Sequence, residues 1–165
     1  MADDKTAESG DAQRAVIGVS GAEARDFLNG LLTNSTLGAD PDRLSFAALL
    51  TPQGKILHTM FVGAAPDGGV YLDAAADGAD DLIRRLSMYK LRADVTLSES
   101  ALNVQRGTGA APDGSLPDPR HPELGWRLYG TTSGDDGTDW DAIRVAHCIP
   151  ETGIELTGDT FILEA

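Results

Sequence analysis

Short apolar runs alternate with helical periodicities along this chain. Ala15-Val16-Ile17-Gly18-Val19 reads as a strand, and Ser20-Gly21-Ala22-Glu23 behind it has the form of a capping box. Ala24, Phe27, Leu28, Leu31 and Leu32 then recur at helical spacing, which predicts an amphipathic helix over 21–32. Leu44–Leu50 and Lys55–Val62 flank Thr51-Pro52-Gln53-Gly54, where Pro52 presets one turn dihedral and Gly54 tolerates a positive φ, so a hairpin is expected. Pro66-Asp67-Gly68-Gly69 turns the chain into Val70-Tyr71-Leu72-Asp73. Ala79, Leu82, Ile83, Leu86 and Tyr89 mark a second helix over 77–90 with Asp77 as its cap, and Ala93–Leu97 follows as a strand.

The order β-α-β-β-β-α-β predicts an α+β fold, a mainly antiparallel sheet with helices on one face. It divides the chain into an acidic, disordered leader at 1–14, a first unit at 15–98 and a partial second unit at 99–165. In the last, Ala101–Arg106 and Leu124–Tyr129 read as strands and Trp140–His147 as a short helix, between Gly/Pro/Asp-rich loops at 107–119 and 130–139. A unit that starts and does not finish reads as truncation. Residues 124–129 and 161–163 are then expected to expose apolar surface suited to a homodimer contact.

Charge narrows the possible functions. The 165 residues carry 19 Asp and 7 Glu against 10 Arg and 3 Lys, a net charge of −13, so a phosphate backbone is repelled and nucleic acid is disfavoured as a partner. No apolar run approaches the roughly 20 residues that span a bilayer, and no membrane partner is expected. The N-terminus has no apolar signal segment and no Arg-rich transit pattern, which points to the cytoplasm. One cysteine, Cys148, excludes an internal disulfide. His58, His121 and His147 lie far apart without metal-ligand spacing, and there is no phosphate-binding glycine loop and no catalytic triad, so neither a metal nor a catalytic residue is expected. Arg84, Arg85, Lys90 and Arg92 form a basic cluster. It reads as cations complementing a helix C-terminus, or as a dock for a polyanionic tail such as a polyglutamate.

Several segments, taken together, resemble the folate-binding aminomethyltransferase-like superfamily, which holds the glycine-cleavage T-proteins and the YgfZ-type iron–sulfur assembly factors. They are Val19–Glu23 through Phe27–Asn34, Leu49-Leu50-Thr51-Pro52-Gln53-Gly54-Lys55-Ile56, Tyr71-Leu72-Asp73, Leu86–Val95 and Ile143–Gly153. The last is similar to Arg-x-x-x-Gly-Ile-Pro-x-x-Gly, with Cys148 in the glycine position. The resemblance covers about 15–163 and favours the YgfZ branch. Thr59 stands where T-proteins carry a carboxylate against the folate, Phe46 where they carry a tyrosine, Ala146 where they carry a glutamate, and Ser35 where an Asp is common. The YgfZ motif Lys-Gly-Cys-x-x-Gly-Gln-Glu does not occur.

The resemblance implies a tetrahydrofolate-binding protein that assists iron–sulfur cluster assembly or repair and meets iron–sulfur client proteins. Phe46, Thr59, Asp73 and Ala146 are its candidate folate contacts. A divergent aminomethyltransferase, or an interaction domain without folate, are the alternatives. Loss of the acidic contacts argues against turnover.

Overall fold

The computed structural model describes residues 13–165, so the acidic leader lies outside the described residues except for its last two positions. One of those, Arg14, is no leader residue: it opens the first strand, β1 (Arg14–Ser20). The chain continues through α1 (Ala24–Asn29), β2 (Ser45–Leu50), β3 (Ile56–Ala64), β4 (Val70–Ala75), α2 (Ala79–Lys90) and β5 (Thr96–Glu99). These strands form an antiparallel sheet, as the apolar pattern predicts, and stand in the order β2-β3-β4-β1-β5. A second sheet, β7-β8-β6-β9, comes from β6 (Asn103–Gly107), β7 (Leu116–Pro117), β8 (Trp126–Gly130) and β9 (Gly134–Asp135), of which β9 alone runs parallel to its neighbour. Helix α3 (Trp140–Ala146) follows. Among the described residues no helix is long and apolar enough to cross a membrane.

Alternation along the strands gives the first sheet two different faces. Ile17, Val19, Met60, Val62, Leu72 and Ala74 meet Ala24 and Leu28 of α1 and Ala79, Leu82 and Leu86 of α2 in one apolar core. The opposite face carries Arg14, Phe46, Thr59, Phe61 and Asp73, and the second unit packs against it.

Local details depart from expectation where tertiary contacts compete. The Ser20–Glu23 capping box does not form. Glu23 is itself the N-cap, and its carboxylate accepts the Asp94 amide at 2.6 Å, while the Asp94 side chain accepts the Ala22 amide at 3.3 Å. This clasp fastens the start of α1 to the approach to β5. Helix α1 ends at Asn29, not residue 32, because the chain leaves it to lay residues 32–34 along the outer edge of β2. There Leu32 bridges Leu49, the Thr33 amide donates to the Ala48 carbonyl at 3.0 Å, the Ala48 amide donates to Thr33 Oγ1 at 2.8 Å, and Asn34 Nδ2 donates to the Phe46 carbonyl at 3.3 Å. Asp77 does not cap α2, since a 3-10 turn at Ala76–Gly78 intervenes and Gly78 holds the cap position.

The strand expected at 93–97 begins only at Thr96, because Ala93 and Val95 are drawn into the core side of the turn. Residues 124–129 do not expose an apolar face: β8 is an inner strand of its sheet, and Leu124 and Trp126 are buried. At the other end Leu163 is exposed, as expected. Gly54 takes φ +87 in the turn between β2 and β3, the conformation its position requires.

Leu91 closes α2 with φ +48 and ψ −109 while its side chain is 88% exposed, so it bears backbone strain without a packing return. Leu91→Gly is expected to raise the free energy of unfolding by about 1 kcal/mol, after the entropy glycine adds to the unfolded chain. The measurement is the urea midpoint at constant slope, and an unchanged or lower midpoint refutes it.

Candidate functional site

The face of the first sheet away from the helices gathers three of the four predicted residues, two of them in one register row. Phe46 pairs across the sheet with Phe61, Phe61 with Asp73, and Asp73 with Val16. Thr59 lies two residues before Phe61 on β3, and Arg14 two before Val16 on β1, so all share this face.

Asp73 is fully buried, and such a charge persists only with partners. Arg14 Nε donates to its Oδ1 at 2.6 Å, Arg127 Nε to its Oδ2 at 3.1 Å, and the Tyr129 hydroxyl to the same oxygen at 2.8 Å. Arg127 and Tyr129 are alternate residues of β8, which puts both on the side facing the first sheet. Burial first, and the Asp73 charge second, lift the Tyr129 phenol well above its ordinary pKa; the same causes take Tyr71 up to about 12. Both phenols stay neutral and able to donate.

Around this pair the aromatic rings and guanidinium groups stack. Phe46 and Phe61 lie 5.0 Å apart between centroids, and the guanidinium carbons of Arg127, Arg120 and Arg14 stand 3.9, 4.8 and 5.6 Å from the Phe61 centroid. Arg120 is braced by Asp118, which accepts from its Nε at 3.0 Å and its Nη2 at 2.8 Å. Three arginines thus converge with two buried aspartates, and the buried Glu151 carboxylate borders the same spot.

Over this surface the cavity is small, about 10 Å³, lined by Arg14, Phe46, Thr59, Phe61, Arg120 and Pro150–Thr152. That holds roughly one water molecule. Thr152 fills the rest, its hydroxyl in hydrogen-bond contact with that of Thr59. Ligand-sized space lies next door, in a cleft of about 360 Å³ that has Arg14 and Arg106 among its lining residues and none of the four candidate contacts.

The structure therefore joins three of the four folate candidates. Phe46 and Thr59 border the small cavity, and Asp73 lies behind Phe61 as the charge that holds Arg14. Ala146 is exposed on α3 and does not border the cavity, because Pro150–Thr152 reach in where the helix does not. The basic cluster is not brought there either. His58, next to Thr59 and pointing to the helix side, meets Asp81 of α2 at 2.8 Å; Arg85 Nε reaches the same carboxylate at 2.5 Å, and Arg84 pairs with it too. Hydrogen bonds from Arg85 and then His58 hold the Asp81 carboxyl well below its usual range. The sheet separates this cluster from Phe46, Thr59 and Asp73.

Arg14, Phe61, Arg120, Arg127 and Tyr129 were not marked by the sequence. The available signal was Arg127 within the apolar run Trp126–Tyr129, a charge in a strand that needs a buried partner. The fold also brings ligand atoms of His121, Glu123 and His147 within 4.8 Å of one another, a grouping the sequence spacing did not announce.

No family model matches the chain. Individual proteins do. An iron–sulfur cluster assembly factor IBA57 homolog from Pyricularia oryzae is 31% identical over 139 residues, which cover 74% of this chain and 34% of that protein. The mouse iron–sulfur cluster assembly factor IBA57 is 32% identical over 178 residues, covering 84% of this chain and 49% of its own, and the human protein is 27% identical over 150 residues, covering 73% and 42%. Among solved structures, the glycine cleavage system aminomethyltransferase T of Bartonella henselae superposes with a TM-score of 0.50 and 18% identity over 54% of this chain and 25% of that one. The chain belongs to the YgfZ/aminomethyltransferase-like superfamily.

It spans about half or less of the length of the curated relatives it matches. The superfamily pattern also explains a backbone oddity. Cys148 adopts φ +53, a left-handed conformation that favours glycine, at the position where the motif has glycine. The expected cytoplasmic location is corrected: the IBA57 relatives are mitochondrial by name, and they point to the mitochondrion.

Proposed function

We propose that this chain is the folate-family portion of an iron–sulfur cluster assembly factor and acts by binding, not by aminomethyl transfer. The observation that carries this reading is the agreement among relatives: each matches much of this chain, and each is named as an iron–sulfur cluster assembly factor. The chemistry is consistent. Thr59, Phe46 and Ala146 offer neither a carboxylate nor a phenol for proton handling on an amine-bearing pterin. The test is complementation. The intact gene encoding this chain, expressed in cells lacking their own factor, should restore the activity of an iron–sulfur enzyme. Failure of the well-expressed protein to do so overturns the reading.

A reduced folate is the ligand this family face would take, with Arg120 and Arg14 as its cationic contacts and Phe46 and Phe61 as its stacking surface. Entry requires Pro150–Thr152 to swing away from Thr59. Tetrahydrofolate is expected to quench the fluorescence of Trp126 or Trp140 saturably, and Arg120→Ala to weaken that binding by about tenfold, the scale of one charged contact. The cavity of about 10 Å³ favours a second reading, an interaction module whose folate face has become interior packing. A flat titration together with successful complementation would establish that second reading.

A further inference from the structure

We propose that His121, Glu123 and His147 form a binding site for one divalent transition-metal ion of the zinc class. The three side chains come from two elements that sequence distance hides. His121 caps a 3-10 turn, Pro122–Leu124, in which Pro122 sets the first dihedral and buried Leu124 anchors the turn. His147 is the C-cap residue of α3, its amide held by the Ile143 carbonyl at 3.1 Å. Packing of α3 on that turn stacks the two imidazoles with centroids 3.8 Å apart and planes inclined by 23°. Glu123 Oε2 lies 2.6 Å from His147 Nε2, and one ligand atom from each of the three residues falls within 4.8 Å of the others.

Zinc–nitrogen and zinc–oxygen bonds are each about 2.0–2.2 Å, which puts tetrahedral donors roughly 3.4 Å apart, so side-chain rotations on this exposed surface that draw the three donors together complete the site. Two imidazoles and one carboxylate select a borderline ion such as zinc, cobalt or nickel. Magnesium and calcium prefer all-oxygen cages. His121 Nδ1 accepts the Glu123 amide at 3.2 Å, a bond that a metal on that nitrogen would replace. Glu123 is 63% exposed and His147 29% exposed at the side chain, so the remaining coordination positions open to water or to a donor from outside. The bound ion would staple the C-terminus of α3 to the turn that leads into β8.

The experiment is calorimetric titration of the purified chain with zinc, paired with visible absorption of the cobalt form. One saturable equivalent is expected, with a cobalt spectrum of nitrogen and oxygen donors. Glu123→Gln and His147→Gln should each weaken it by at least about tenfold, because even groups behind a ligand are worth about 10–100-fold. Zinc should raise the melting temperature of the parent chain and leave that of His147→Gln unmoved. Cys148→Ser should bind like the parent. Absence of saturable uptake, uptake that survives both glutamine variants, or loss of uptake in Cys148→Ser would each overturn the proposal. Glu123 lies on the surface, so its variant keeps the test valid if a histidine variant folds poorly.

Discussion

Asp73→Asn lowers the free energy of unfolding by about 3–5 kcal/mol. The substitution keeps the size of the side chain and removes its charge, leaving the guanidinium groups of Arg14 and Arg127 facing a neutral amide where a carboxylate stood at 2.6 and 3.1 Å. Arg127 is 1% exposed and cannot recruit bulk water instead. The loss falls on the junction between the two sheets, because β4 and β1 supply Asp73 and Arg14 while β8 supplies Arg127 and Tyr129. For a chain of this length it corresponds to a fall in melting temperature of about 6–20 °C. Arg84→Ala is the comparison. Arg84 is also paired with an aspartate, but its side chain is 66% exposed, and its loss is expected to cost under about 0.5 kcal/mol. A cost for Asp73→Asn below about 1 kcal/mol would mean that the buried network does not hold the two units together. Adding Arg127→Met to the Asn variant should recover part of the loss, as an apolar replacement removes the stranded charge.

Gly21→Ala is expected to cost about 3 kcal/mol or more, by a different route. Gly21 has φ +112, a backbone region that L side chains rarely adopt, and a Cβ there would sit 2.2 Å from the Asp94 carbonyl oxygen and 2.8 Å from its carbon. The obstacle is backbone, so no rotamer change relieves it. Strain of about 1–3 kcal/mol and overpacking of about 1–3 kcal/mol add at this position. The clasp between Glu23 and Asp94 should loosen with it, detaching the start of α1 from the approach to β5. Amide exchange at Ala22, Glu23 and Asp94 measures this directly. Unchanged protection at these amides in a folded variant would show that Gly21 is not what permits the close approach.

Much of the first unit was legible because its elements rest on periodicity. The β-α-β-β-β-α-β order, the turn at Thr51–Gly54 and the helix face of Leu82 and Leu86 all follow from spacing of apolar residues that ended in one core. Local capping was less legible. Ser20 and Asp77 have the right chemistry, but tertiary contacts took Glu23 to Asp94 and inserted a 3-10 turn before α2. The site was half visible. Phe46, Thr59 and Asp73 are candidates by resemblance, and strand register places them on one face of the sheet. Arg127 lies 54 residues from Asp73, Arg120 lies 59 from Phe61 and Thr152 lies 93 from Thr59, and no local pattern encodes such pairings. His121 and His147 are isolated in the sequence for the same reason: packing of α3, not sequence spacing, brings them together.

The strap at Leu32–Asn34 along β2 has a consequence for how this molecule behaves in company. An outer strand ordinarily offers a ladder of unused amide and carbonyl groups that another chain can copy, which is how sheets grow into aggregates. Here the Ala48 amide, the Ala48 carbonyl and the Phe46 carbonyl are already engaged by Thr33 and Asn34. Recruitment of a foreign strand would first have to peel away this border. At the far side of the sheet β5 is only four residues long and carries Glu99, a short and charged margin that discourages the same reaction. A sheet rich in alanine, valine and leucine is thereby kept from templating its own misassembly.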